Sequence, residues 1–445
     1  MGGRADIAEP AISMSRRPRK RVFYMAAGVA ALVFAGWAST SVSFSWQPAP
    51  ETIPGNAAKQ LAIAEPRQRS VSVIDYRRLD QRLDLLIQEP SMVGLAVAIV
   101  EDGDIRFVKG YGVTEAGGSE PVTANTIFRW ASVSKGVAAD MVAKLADEGR
   151  LSLYEPVSKY STSLRLPGGN EHKATISDLL SHRLGLFGHA NDSKLEDGGD
   201  AKLLRGNLAT LNAICPPGTC HAYQNVAYDA ASDIVQKVTG KTYQQAVQER
   251  LFRPLGMTSA TLTRDGLLTA ASWAKPHRGG KSSKPVEVTD SYYRVPAAGG
   301  VNSSIKDLAL WMRAQMGENP AVLSDKVLAN VQSPRANTPG EMRRKRKYRE
   351  RLSKARYGLG WRSYDYAGHT VVGHHGGVTG YRSLILFDPA KKSGVVAVWN
   401  SSAKEPGGIE FEVMDMLYRL EPRDWLGVDE QQIAAGEAGK PPTPA

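Results

Sequence analysis

The chain has 445 residues, of which 42% are hydrophobic and 23% charged, a globular make-up with room for one large domain or two to three ordinary ones. Its net charge of +11 is concentrated: residues 16–21 and 343–356 carry +5 and +8, leaving −2 for the remainder. That distribution excludes a broad nucleic-acid-binding face, and no nucleic-acid partner is expected.

The basic segment 1–21 precedes residues 22–38 (VFYMAAGVAALVFAGWA), which carry no charge. Seventeen apolar residues are short for a bilayer span and slightly long for a signal-peptide core, and Gly36-Trp37-Ala38 offers a cleavage site. Three readings stay open here: a signal-anchor, a cleaved signal peptide and an organelle transit peptide. The first two place the body beyond a membrane, anchored in the inner membrane and facing the periplasm or outside, or secreted. Residues 39–75 read as a linker, 76–425 as the folded domain and 426–445 as a disordered tail.

Within the domain, residues 92–112 and 382–400 each carry two β-rich runs about a polar turn, so each is expected to form a hairpin. Helical patterns occupy 133–149, 176–182, 225–239, 243–253 and 304–316. Strands at both ends with helices between them predict an α+β fold: an antiparallel sheet built from both termini, flanked by helices, with a mainly helical lobe. The two cysteines, Cys215 and Cys220 in CPPGTC, fit a small disulfide staple. Two thiols without a histidine pair at finger spacing do not complete a zinc site, and no metal is expected.

Four Ser-x-x-Lys sequences occur, at Ser132/Lys135, Ser272/Lys275, Ser303/Lys306 and Ser401/Lys404. Only Ser132 opens a long helical segment with an apolar stripe (Val137, Ala138, Met141, Val142, Leu145). Residues three apart share a helix face, so Lys135 can approach the Ser132 hydroxyl and take its proton once desolvation lowers the lysine pKa. A capping serine and a solvated lysine would give the same letters. Tyr223 and Asn225, in Tyr-Gln-Asn just before a helix, offer a proton relay and an amide for a substrate carbonyl. His374, His375, Gly376 and Gly377 precede the terminal strands, and glycines there let a ligand lie against the backbone.

Ser-x-x-Lys, then Tyr-x-Asn, then His-x-Gly, together with LFRPLGM, AAGGVNSSIKDLALW and YGLGW, resembles the serine β-lactamase and penicillin-binding family over residues 76–420. Class C β-lactamases, D-Ala-D-Ala carboxypeptidases, D-aminopeptidases and esterases belong to it. The resemblance implies Ser132 as acylated nucleophile, Lys135 as its proton partner and Tyr223 as general base and acid. It implies Asn225, His374 and Gly376 as substrate ligands, the amides of Ser132 and Gly377 as oxyanion hole, and no metal or organic cofactor. His374 stands where class C enzymes carry a lysine, so an anchor whose charge changes near neutral pH is expected there. His375, where a small hydroxyl residue is frequent, is expected to narrow access.

The implied activity is a membrane-tethered serine hydrolase acting on a small-molecule or peptide amide, β-lactam or ester. A penicillin-recognising receptor without efficient turnover and a catalytically silent scaffold are the competing readings. The run 343–356 reads as an insertion, either a solvated surface or a contact for anionic lipid or cell-wall polymer.

Overall fold

The computed structural model describes residues 71–429. The expected segments 1–21 and 22–38, most of the linker and the end of the tail lie outside the described residues. Among the described residues no helix is long and apolar enough to cross a membrane.

The centre is an eight-stranded antiparallel sheet. In chain order its strands and a separate short pair are β1 Gly94–Glu101, β2 Asp104–Gly112, β3 Phe128–Arg129, β4 Asn302–Ser303, β5 Ala336–Asn337, β6 Leu352–Tyr357, β7 Arg362–Tyr366, β8 His369–Val378, β9 Tyr381–Asp388 and β10 Ser393–Trp399. The sheet runs β2-β1-β10-β9-β8-β7-β6-β5, and β3 pairs with β4 apart from it. The N-terminal hairpin joins the C-terminal one by β1 against β10, with Leu95 opposite Trp399 and Val100 opposite Gly394. The α+β architecture expected from the sequence is the one observed.

Strand β1 is buried throughout because both its faces are covered. Leu95, Val97 and Ile99 pack with the helices Tyr76–Leu86 and Ile409–Tyr418, while Ala96, Ala98 and Val100 face the helices Ser134–Asp147 and Ile305–Gln315. Period-two alternation assigns the sides, and alanine on the second side lets those helices approach closely. Packing reaches beyond 76–425 at both ends. Ser72 and Val73 bond to the buried Glu101 carboxylate, and Leu426 and Val428 are buried.

The helix Ser134–Asp147 carries a fully buried acid, Asp140, to which the Gln315 amide donates at 2.6 Å. Burial raises its pKa well above the usual carboxylate range, against the opposing effect of that hydrogen bond. The folded chain keeps this proton while the unfolded chain loses it above about pH 4, so the stability that the group allows falls as pH rises from there. Asp140→Asn, which does not titrate, is expected to raise Tm at pH 7.5 by several degrees and to make no such difference below about pH 4. Thermal melts at the two pH values check this.

Candidate active site

Ser132 sits where three segments distant in sequence converge. Strand β3 pairs with β4, placing Arg129 opposite Asn302, and the Trp130 amide donates to Val301 O at 2.8 Å. The Trp130 indole is buried against Phe252 and Trp311 and donates to Ser303 Oγ at 2.8 Å. The chain then turns through Ala131, held at φ 49°, into a short 3₁₀ turn that carries Ser132 and runs on into the helix from Ser134. A left-handed alanine is strained, and strain held in place beside a reactive side chain fixes its direction.

Lys135 lies in the first turn of that helix and is fully buried. Its ammonium nitrogen is 3.5 Å from Ser132 Oγ, 2.6 Å from Asn225 Oδ1 and 2.9 Å from Ala298 O, so its three donor directions are filled. Burial lowers its pKa to about 7, helped by the Arg362 charge and opposed by Asp192 and Asp229. The lysine is therefore partly neutral at neutral pH, as a general base requires.

Asn225, expected to contact substrate, has both ends of its amide engaged. It accepts from Lys135 and donates to Asp192 Oδ2 at 2.7 Å, the same oxygen that His189 Nδ1 meets at 2.8 Å. In this arrangement it orients the lysine.

Tyr223 is held by its backbone neighbours. The Ala222 amide donates to His182 O at 2.9 Å, the Gln224 amide to His182 Nδ1 at 3.1 Å, and the His189 amide to Tyr223 O at 2.8 Å. Its ring lies 4.4 Å from the His182 ring and 4.7 Å from Lys135 Nζ. Burial raises the phenol pKa far above its ordinary value, with Ser132 and Arg362 opposing. A phenol held neutral donates and relays a proton well but is a poor first base, so Lys135 suits the role of base better than Tyr223 does.

The disulfide Cys215–Cys220 is formed. Its loop is tied to residues 182–185 by Gly218 N–H to Arg183 O at 2.7 Å, and neither this bond nor those that hold Tyr223 involves the sulfurs. Cys215→Ser is therefore expected to destabilise the fold by about 2 kcal/mol while changing turnover less than twofold. Denaturant melts and kcat measured side by side check it.

His374 is 2% exposed and differs from expectation. Burial, with the Arg362 and Lys135 charges, holds its pKa well below the ordinary imidazole value, so it is neutral at neutral pH. Both nitrogens have partners: Nδ1 meets His375 O at 2.8 Å and Nε2 meets the Tyr357 hydroxyl at 3.2 Å. That hydroxyl lies 3.1 Å from His182 Nε2. Since Gln224 N–H donates to His182 Nδ1, the imidazole donates onward to Tyr357, and Tyr357 to His374. Arg362, which is 7% exposed and 3.5 Å from Glu341 Oε2, is a buried cation of the cleft, with Arg343 and Arg344 exposed on its lining.

Past Gly373 the side of β8 away from β9 has no strand partner and lies against the Ser132 turn. A Cβ on Gly376 would stand 2.2 Å from Trp130 O and 2.2 Å from Ser383 Oγ, so only glycine permits this approach. Gly377 follows on the exposed side. His375 turns to the Glu410 carboxylate at 3.0 Å, with Lys345 at 3.4 Å from its Nε2, and still lines the mouth of the cleft.

The cleft has a volume of about 720 Å³ and is bounded by Ser132, His189, Tyr223, Arg362, His374 and the segment 337–344. Three of the nine basic residues of the run are half-buried and paired, Lys345 with Glu410 at 3.0 Å, Arg351 with Asp415 at 2.8 Å and Arg356 with Asp365 at 2.9 Å, while Arg343, Arg344, Arg346, Lys347, Arg349 and Lys354 are exposed. Sequence reasoning missed Arg362, Asp192, His182 and Tyr357. Tyr357 opens the segment YGLGW, whose likeness was visible without a role attached.

These features define a protein of the serine β-lactamase and penicillin-binding type. The family model described as Beta-lactamase matches residues 79–413, and the chain belongs to that family of hydrolases. It is 28% identical to the unguisins hydrolase ungD of Aspergillus violaceofuscus, over 69% of this chain and 58% of that protein. It is 28% identical to penicillin-binding protein 4 of Amycolatopsis lactamdurans, over 82% of this chain and 94% of that protein. The D-alanyl-D-alanine-carboxypeptidase/endopeptidase AmpH of Escherichia coli K12 is 26% identical over 54% of this chain and 62% of its own. Among solved structures, the octameric penicillin-binding protein homologue from Pyrococcus abyssi superposes with a TM-score of 0.69 at 25% identity, covering 81% of this chain and 82% of its own. The chain thus spans 58% of the length of the fungal hydrolase it matches.

Proposed function

We propose that the chain is a serine hydrolase that forms an acyl-enzyme at Ser132. The observation that carries this is Lys135: buried, 3.5 Å from the hydroxyl, with its pKa brought to about 7. Neutral Lys135 accepts the Ser132 proton as Oγ attacks the substrate carbonyl. The tetrahedral oxyanion is received by the backbone N–H groups of Ser132 and Gly377. The neutral Tyr223 phenol donates to the departing amine or alkoxide and regains a proton from Lys135. Water then attacks the ester, with the proton transfers reversed, and frees Ser132.

The substrate is an amide, ester or β-lactam, the bond classes that this chemistry opens. An anionic group on it meets Arg362, because His374 is neutral and has no free nitrogen. The uncharged stretch 22–38 behind a basic segment supports attachment to a bacterial inner membrane with the domain on the far side. Alkaline carbonate extraction of membranes tests that part, and release of the full-length chain would refute it.

For the chemistry, full-length protein and Ser132→Ala are treated with a fluorescent penicillin, a chromogenic cephalosporin, p-nitrophenyl butyrate and a D-Ala-D-Ala peptide. Intact mass is read alongside turnover. The expected result is hydrolysis of at least one substrate through an adduct on Ser132, lost in the variant. Turnover that survives in Ser132→Ala, or no reaction with any of the four, refutes the reading. A permanent adduct assigns a receptor instead.

A further inference from the structure

A second cavity, of about 480 Å³, opens beyond the end of β8. Its wall includes Arg129, Tyr292, Val378, Thr379 and Tyr381, and its exposed rim carries Arg278 together with the acids Glu196, Asp197 and Glu287. Side chains alternate along β3, so Phe128 enters the core and Arg129 points the other way. Arg129 is 4% exposed, and its guanidinium lies over the Tyr293 ring at 4.2 Å.

Among the described residues no carboxylate forms an ion pair with this guanidinium within 4.0 Å. Its Nε and Nη2 are buried and have no hydrogen-bond partner. The Tyr293 phenol is turned to Asn302 Oδ1 at 2.6 Å. Glu196, on the rim, is engaged by the Tyr292 phenol at 2.7 Å. Other buried arginines of the chain sit beside a carboxylate: Arg82 beside Glu412 at 2.6 Å, Arg205 beside Asp229 at 2.7 Å and Arg362 beside Glu341 at 3.5 Å. A desolvated charge without a counter-ion is strongly unfavourable, so a guanidinium left this way at the wall of a cavity is matched to an anion from outside.

We propose that this cavity is a carboxylate-binding subsite with Arg129 as its anchor. The planar fork of a guanidinium receives a carboxylate through two parallel hydrogen bonds. Arg129 lies three residues before Ser132, and the cavity begins at Val378, next to Gly377. A substrate held at Ser132 therefore reaches it with a carboxylate-bearing arm that leaves the scissile bond past Gly377. That the carboxylate belongs to a substrate rests on the Ser132 reading; that the cavity binds a carboxylate does not.

The test follows the thermal midpoint of the full-length protein in potassium succinate, potassium phosphate and potassium chloride at matched ionic strength. Succinate is expected to raise the midpoint saturably in wild type and in Ser132→Ala, and not in Arg129→Met or Thr379→Trp. Thr379 is exposed at the mouth, so its tryptophan variant fills the cavity without touching the anchor, and it decides the matter should Arg129→Met not fold. In parallel, Arg129→Met is expected to lower kcat/KM for p-nitrophenyl hemiglutarate relative to p-nitrophenyl valerate by about tenfold. No succinate shift in wild type, or an equal shift in Arg129→Met, overturns the subsite. Equal shifts by phosphate and succinate with an unchanged ester ratio overturn the substrate assignment and leave a general anion hole. A succinate shift without hydrolysis of either ester overturns the assignment of the carboxylate to an ester substrate and keeps the subsite.

Discussion

Lys135→Met is expected to slow acylation of Ser132 about a thousandfold, and to alter stability in a way that depends on pH. Methionine fills a similar volume and removes the only buried amine beside the hydroxyl. The folded lysine has a pKa of about 7, below its unfolded value. Above pH 7 the unfolded chain holds a proton that the folded chain has released, so wild-type stability rises with pH toward the unfolded pKa, and below pH 7 that contribution is absent. The methionine variant has no such slope. Between pH 7 and pH 9 the wild type should therefore gain up to about 3 kcal/mol relative to the variant, at roughly 1.4 kcal/mol per pH unit. Denaturant melts at pH 7, 8 and 9, with single-turnover acylation at each, read both effects. A stability difference that stays constant across these values would mean that the lysine is not neutral when folded.

Gly376→Ala should lower kcat/KM about a hundredfold, the scale expected when a reacting group shifts by about 1 Å. The added methyl would stand 2.2 Å from Trp130 O, a backbone atom two residues before the nucleophile, and equally close to Ser383 Oγ. Ser383 donates to that same carbonyl at 2.6 Å, so both sides of the contact are already committed. Something has to move, and the Ser132 turn is the part joined to the carbonyl. Overpacking of this kind also costs about 1–3 kcal/mol of stability. Gly377→Ala is the informative contrast: its methyl meets only the Arg382 side chain, at 3.3 Å, which can give way. Its stability should stay within about 0.5 kcal/mol of wild type. Equal destabilisation by the two would show that β8 yields in place of the serine turn.

Much of this was legible in the sequence because it is written in local patterns. The two hairpins and the helix carrying Lys135 each depend on neighbours a few residues away. Ser132, Lys135 and Tyr223 could be brought to one place only through the order of motifs, and the cleft does gather them. The electrostatics were not legible. His374 was expected to be a titrating anchor because a histidine is one in water, but its neutrality comes from burial and from Tyr357, which lies 17 residues away and is itself aligned by His182. Arg362 and Asp192 shift the lysine in opposite directions; Asp192 lies in a stretch with no motif, and Arg362 stands just past YGLGW, which assigns it no role. A proton affinity is a sum over surroundings, and the sequence does not show which residues those are.

The pairing of β1 with β10 bears on how the protein is made. Leu95 finds its partner in Trp399 only after some three hundred further residues have been synthesised. Closing so long a loop is slow, and little rewards it until both ends are present. The serine-bearing helix leaves the ribosome early, while Arg362, Gly376 and Gly377, which complete its surroundings, leave late. The nascent chain therefore lacks these groups beside Ser132 for most of its synthesis, and the cleft is complete only after the C-terminal hairpin has closed the sheet.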